Sequence, residues 1–261
     1  MKKLVARAAL GLLPVFLLAG GIAYGEVTQA GNLRVTVSGG LKPHALPRSG
    51  AAPVSVQVGG QISTTDETQP PQLQELQIEI NRQGRFDYTG LPTCQISQIQ
   101  PASDSRALAN CRKALVGEGH FAGTITLPGS EPFPIAGRLL VFNGSEGGHP
   151  MLLGHIYTPQ PFGTSFVIRF QITTRKGGTY GTVLTANLGS ALGEKRNLTA
   201  IEMKLSRRYS YKGRSRSYVS AGCPAPKGFT KAVFPLVRTS FRFAGHQTLD
   251  STLTSSCGVR G

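Results

Sequence analysis

Residues 199–223 read TAIEMKLSRRYSYKGRSRSYVSAGC, and this stretch sets the fold class. Ile201, Met203, Leu205, Tyr209 and Tyr211 occupy odd positions, while Glu202, Lys204, Ser206, Arg208 and Ser210 occupy even ones. A period of two is what a strand with one buried and one wet face requires. Arg207 is the one interruption of the apolar row. Lys212-Gly213 supplies a tight turn, after which Tyr218, Val219 and Ala221 lead back to Cys223. A single hairpin thus combines the period, the densest positive charge and one end of an expected disulfide.

The same period recurs outward in both directions. Leu33-Val35-Val37 alternates and stops at Gly39-Gly40; Val54-Val56-Val58 alternates and stops at Gly59-Gly60. Leu76-Ile78-Ile80 alternates until Asn81–Gly84, and further strands are expected over 121–127, 135–142, 151–157, 165–172, 180–188, 231–234, 237–243 and 248–253. Many short strands separated by glycine and proline predict an all-β fold. The expected architecture is an antiparallel β-sandwich, jelly-roll-like, or a partly closed barrel, with one short disulfide-pinned helix. That helix follows Ser103 or Asp104 as its cap, carries Ala107, Leu108, Cys111 and Leu115 at helical spacing, and ends at Gly117. Asp104 suits the positive end of its dipole and Lys113 the negative end. Residues 38–53 and 64–71, punctuated by proline, read as loops. No internal repeat is present.

Residues 1–25 read as a targeting leader. Lys2, Lys3 and Arg7 precede the apolar run Ala8–Leu18, and Ala23-Tyr24-Gly25 places small residues where a signal peptidase cuts, near Gly25. An uncleaved anchor is the alternative, disfavoured by the short run and by Pro14. Gly21 stands where a lipoprotein would need cysteine, and no apolar tail follows Leu46–Gly50 to make it a sortase signal. The remaining chain, 26–261, reads as one β-rich domain, with a sub-boundary allowed only near 90–118. Across the full chain 28 Lys+Arg face 13 Asp+Glu; without the three basic leader residues the net charge is about +12.

Four cysteines, Cys94, Cys111, Cys223 and Cys257, all lie beyond the leader. An even count in an exported chain points to two disulfides. Of the three connectivities, Cys94–Cys111 with Cys223–Cys257 is nearest in sequence and is the expected one. No C-x₂₋₄-C spacing or histidine pair favours zinc instead.

Several motifs carry a resemblance: LPR (46–48), LPTC (91–94), NCRKALVGEG (110–119), LLVFNG (139–144), YGTVL (180–184) and AGCPAP (221–226). Together they resemble a group of exported, uncharacterised β-rich proteins of actinobacteria. The resemblance spans most of the chain after the leader and implies export and a single β-rich unit, with no activity and no site residues attached.

Reactive constellations are not visible. No G-x-S-x-G elbow occurs, and Gly117-x-Gly119 lacks the third glycine of a phosphate loop, so no cofactor is expected. His44, His120, His149, His155 and His246 are scattered; His149 and His155, six apart, read as loop histidines beside Gly148 and Pro150 rather than as metal ligands. Glu75 and Glu79 would stand about 13 Å apart on one strand face, too far for paired carboxylates at ~6.5–9.5 Å. Glu118, Glu131 and Glu146 fall in different loops. Asn143 and Asn197 fit the glycosylation sequon but read as turn residues.

The most distinctive chemistry is basic. Lys195-Arg196 is followed by Lys204, Arg207, Arg208, Lys212, Arg214 and Arg216, interleaved with Tyr209, Tyr211 and Tyr218. Such a face can hold an anionic polymer, with tyrosines for stacking. The plainer reading is a wet strand face that blocks edge aggregation, its tyrosines turned to the core. From these residues the expected function is an exported, non-enzymatic protein that associates with the cell envelope or an extracellular anionic ligand. Envelope polymers bearing phosphate and lipid headgroups are the expected partners, and no intracellular nucleic acid is expected; the sequence sets no oligomeric state. The alternatives are a secreted hydrolase drawing on His120, Glu118, His149, Glu146, His155 or Glu131, and a barrel carrier of an apolar ligand.

Overall fold

The alternation of Ile201, Met203 and Leu205 is realised as a strand whose apolar side chains enter the core while Glu202 and Lys204 face water. The computed structural model describes residues 24–160, 163–193 and 196–260. Of the expected leader only Tyr24 and Gly25 fall within the described residues, and Lys195 lies outside them.

In chain order, β1 (Tyr24–Ala30) and β2 (Leu33–Lys42) form a hairpin, followed by the short β3 (Ala45–Leu46) and β4 (Ala52–Pro53). Then come β5 (Ser55–Thr64), β6 (Leu73–Asn81) and β7 (Gly84–Phe86). Two helices, α1 (Ile96–Ile99) and α2 (Asp104–Cys111), precede β8 (Leu115–Ile125). A meander follows through β9 (Phe133–Glu146), β10 (His149–Thr158), β11 (Thr164–Thr174) and β12 (Tyr180–Asn187). The helix α3 (Leu188–Leu192) leads to β13 (Arg196–Leu205). The short β14 (Arg208–Tyr211), β15 (Arg214–Ser217) and β16 (Val219–Ala221) come next, then the long β17 (Lys231–Phe243) and β18 (Thr248–Val259).

Thirteen strands form one sheet in the order β1-β2-β5-β13-β8-β9-β10-β11-β12-β6-β17-β18-β3. Among the described strands only β3 and β18 pair in parallel, and an isolated parallel bridge joins Cys94 to Gly144. The sheet curls until its edges meet: Thr28 Oγ1 donates to the Asp250 carbonyl at 3.1 Å and Gln247 Nε2 to the Ala30 carbonyl at 3.3 Å. Among the described residues no ladder joins β1 to β18. The fold is all-β, and of the two expected shapes it is the partly closed barrel. A second sheet, β4-β16-β7, lies between the connections at one end.

Two of the predicted strand ends are corrected. β2 runs through Gly39-Gly40 and β5 through Gly59-Gly60, because these glycines lie opposite the partner strand rather than ending it. A Cβ on Gly39 would meet the Gln57 carbonyl at 2.3 Å, and one on Gly60 would reach the Phe241 ring. Glycine marks close approach inside these strands. Residues 38–53, expected as a loop, therefore hold the end of β2 together with β3 and β4.

Burial explains the weaker alternation of β9–β11. Leu139 and Val141 point into the barrel, while Leu140 and Phe142, with Met151, Leu153 and Val167, pack outward in a second core. That outer core lies under α1 and α2, to which it contributes Ile99, Ala107 and Cys111. The helix is found and capped as expected: the Ser103 hydroxyl accepts from the Arg106 amide. Its end is not where it was predicted. A 3-10 turn over Arg112–Ala114 follows Cys111, and Leu115 and Gly117 already belong to β8, since pairing with β9 claims their backbone.

Both disulfides form with the expected connectivity, Cys94–Cys111 and Cys223–Cys257, with Cα–Cα distances of 5.6 and 5.8 Å. The first pins α2 over the sheet, and the pair is compatible with an extracellular location.

Candidate anion-binding site

The basic stretch does not form one continuous hairpin. β13 ends at Leu205 and pairs with β5 and β8. Ser206-Arg207 breaks the strand, and β14 then pairs with β15 alone. Lys212-Gly213 makes the tight turn, with φ of +49° and +72°, the left-handed pair that a two-residue hairpin loop demands.

That turn changes the parity. Tyr209 pairs with Arg216 and Tyr211 with Arg214, so the tyrosines share a face with these two arginines, and Arg208 occupies the other. The expected separation of wet cations from buried tyrosines therefore fails beyond the turn. The shared face packs on residues 87–90. The Tyr209 hydroxyl donates to the carbonyls of Asp87 and Thr89, at 3.0 and 3.1 Å. Tyr211 lies so close over Gly90 that a Cβ there would meet its ring at 2.1 Å.

Arg216 reaches the Asp87 carboxylate at 2.6 Å. Partial burial pushes that carboxyl up, but the Thr89 amide and the Arg216 guanidinium outweigh it and hold Asp87 below the usual carboxylate value. Arg216 is thus the fixing residue of the hairpin rather than a free cation. Tyr211 lies beneath Lys212 and Arg216, at 5.5 and 5.7 Å from its ring, and so offers no open stacking surface. Tyr218 is fully buried, edge-on to Phe86 at 5.5 Å. Arg196 is spent structurally, donating to the Leu192 carbonyl and lying over the Phe166 ring at 4.4 Å.

The remaining five candidates stay available. Lys204, Arg207 and Arg208, with Glu118, line an open groove of about 510 Å³ between β8 and the β13–β14 break. Glu118 is neutralised by Arg138 at 2.6 Å. Lys212 and Arg214 stand exposed at the hairpin tip. Among the described residues no carboxylate comes within 4 Å of these five, so a groove and a tip of uncompensated charge flank one another.

The alternative chemistries find less. Among the described residues no group of three or more metal-ligating side chains converges. Glu75 is held by Arg242, and Glu79 is buried between Arg175 and Arg238, so each carboxylate has its own arginine. His149 lies opposite Glu146 at the start of β10, and His120 beside Arg138. His155, expected in a loop, is fully buried on β10. Its Nε2 stands 3.0 Å from the Ala102 carbonyl and its Nδ1 3.4 Å from Asp104 Oδ1. Only the helix packed over β10 reveals this pair, since nothing in the local sequence links residues 104 and 155.

Inside the barrel an apolar cavity of about 60 Å³, walled by Val56, Ile80, Met203 and Phe234 among others, lies against Phe86 of β7 and Val219 of β16. It is smaller than the ~150 Å³ cavity that holds a benzene in another protein. No family model, no curated protein and no solved structure matches the chain.

Proposed function

We infer that the protein acts outside the cytoplasm as a non-enzymatic binder of phosphate-bearing anions of the cell envelope, whether polymer or lipid headgroup. Binding is electrostatic and runs through Lys204, Arg207 and Arg208 in the groove and Lys212 and Arg214 at the hairpin tip. The carrying observation is the state of those cations: of the six basic candidates only Arg216 has a carboxylate partner among the described residues. Uncompensated charge raises local anion concentration, and a hairpin already docked on residues 87–90 adds no backbone ordering to the cost of binding. The expected leader, the resemblance to exported actinobacterial proteins and the two disulfides support the extracellular setting.

The test is retention of the chain lacking its leader on long-chain polyphosphate and on vesicles containing phosphatidylglycerol. Raising salt from ~0.05 to ~0.5 M cuts the Debye length to a few Å and should release the protein. Equal retention at both salt concentrations sinks the reading.

A further inference from the structure

Barrel strands alternate in direction, so the connections divide between two ends. One end receives residues 43–54, 82–98, 107–114, 147–148, 175–179, 206–230 and Arg260. These carry fourteen Lys and Arg, against Asp87 as the sole acid. Residues 99–106 pass over the outer face to the opposite end, where Gln100 and Ala102 bond Ser165. That other end receives, among the described residues, 31–32, 65–72, 126–132, 159–160, 163, 188–193 and 244–247. The described connections there bring Asp66, Glu67 and Glu131 without any Lys or Arg of their own, and Asp104 and Arg106 of α2 reach this end together. The barrel is therefore polarised along its axis, which the charge total does not reveal.

Of the five large apolar side chains exposed among the described residues, three, including the two most exposed, lie at the same basic end, while Val27 is mid-strand and Phe133 at the other end. Phe229 is 64% exposed, Val233 78% and Tyr88 42%. Phe229 sits in the loop CPAPKGFTK, residues 223–231, which is held firmly. The Cys223–Cys257 disulfide fixes its start. The Arg48 guanidinium donates to the carbonyls of Ala225, Pro226 and Phe229. The Phe229 amide bonds the Pro226 carbonyl at 3.1 Å, and the Val259 amide bonds the Thr230 carbonyl at 2.7 Å. A loop built this rigidly nonetheless presents a phenylalanine to water, between the exposed Lys227 and Lys231. The segments that build this corner, 42–53, 223–238 and 251–260, contain no Asp or Glu.

We propose that this basic end docks on an anionic lipid surface, with Phe229 and Val233 inserted below the headgroups and Lys227 and Lys231 on the phosphates. An aromatic tip ringed by lysines matches both layers of such an interface: an apolar boundary beneath and negative charge above. A phosphate polymer would satisfy the cations but would leave the apolar pair in water, so lipid is the partner the combination fits. The proposal rests on the anion-binding reading above and specifies its partner.

The test uses Phe229→Trp in the chain lacking its leader. The sequence contains no tryptophan, so this residue is the sole indole reporter. Vesicles of phosphatidylcholine with phosphatidylglycerol should shift its emission to the blue, and brominated acyl chains should quench it; phosphatidylcholine alone should do neither. Phe229→Ser, melting like the parent, should partition roughly ten-fold more weakly. Salt-sensitive vesicle binding without blue shift or quenching, with Phe229→Ser unimpaired, overturns the insertion and leaves anion binding standing. Retention on long-chain polyphosphate but not on vesicles overturns the lipid partner alone. No binding to either removes both readings.

Discussion

His155 on β10 lies 3.4 Å from Asp104, the first residue of α2, through its Nδ1. With Nε2–H committed to the Ala102 carbonyl, Nδ1 faces the carboxyl as an acceptor, and the contact is favourable only with a proton between them. Burial, outweighing Asp104 and the hydrogen bond to Ala102, holds the imidazole below its ordinary 6.5. Burial likewise pushes the Asp104 carboxyl above its ordinary 3.8, against the pull of His155 and Arg138. Below pH 6.5 the unfolded chain takes up a proton at His155 that the folded chain resists, so stability falls. The carboxyl acts oppositely: as pH drops towards 3.8 the folded state is protonated first, which restores stability. In Asp104→Asn only the first effect should survive: unfolding free energy should fall steadily on acidification, by up to about 1.4 kcal/mol per pH unit, and the melting temperature with it. A flat profile from pH 7.5 to 5 in that variant would show that His155 carries no such linkage.

Tyr218 is buried with no partner for its hydroxyl among the described residues. Burial also holds its phenol far above the usual tyrosine value. Tyr218→Phe should keep the edge-on packing with Phe86 and remove a desolvated group, raising stability by up to about 1 kcal/mol. Urea unfolding decides it, and a loss of stability contradicts the assignment.

Gly117, Gly119 and Gly123 let β8 approach β13 closely. A Cβ on Gly119 would stand 1.8 Å from the Glu202 carbonyl oxygen, a backbone atom that cannot swing aside. Gly119→Ala should therefore cost at least about 2 kcal/mol, the upper range of core overpacking. Gly129→Ala, with nothing near its Cβ but φ at +74°, should cost about 1 kcal/mol, the penalty of a left-handed backbone alone. Equal losses in calorimetry would mean that backbone conformation, rather than strand contact, governs both.

Replacing Arg208, Lys212 and Arg214 by Gln should weaken binding to anionic vesicles about five-fold for each charge, near 1 kcal/mol apiece, with the melting temperature unchanged. Arg216→Gln should behave differently, lowering the melting temperature because Asp87 loses its partner. If all four behave alike, Arg216 is not the fixing residue.

Removing Cys94 and Cys111 together should cost roughly 3 kcal/mol on the chain-entropy model, for a bridge spanning 17 residues. Hydrogen exchange should then accelerate first in α1 and α2, whose cover over Phe142 and Met151 the bridge holds. Peptide mapping that joins Cys94 to Cys223 or Cys257 would contradict the pairing.

Much of this fold was legible from residue period alone. The alternation of Ile201–Leu205 and its counterparts fixed strands, and Cys111 on the apolar face of a capped helix fixed what the first disulfide does. Glycine misled at Gly39-Gly40 and Gly59-Gly60, where a residue that ends one strand in isolation is what lets two strands cross closely. The site was half legible. Its cations stand together in the sequence, but pairing of Tyr209 with Arg216 divides them, and a two-residue turn that inverts parity is invisible to a reading in steps of two.

By itself the sequence determined the β class, the two bridges and the excess of positive charge, because each is written in spacing or composition. Only the tertiary structure decided where that charge goes. Antiparallel strands send alternate connections to opposite ends, so basic segments far apart in the chain gather with Phe229 at one end, while Asp66, Glu67 and Glu131 collect at the other. Curling of the sheet likewise brought α2 over β10 and buried His155 against Asp104. Coulomb and apolar forces act through space, and distance in space is set by strand order rather than by residue number.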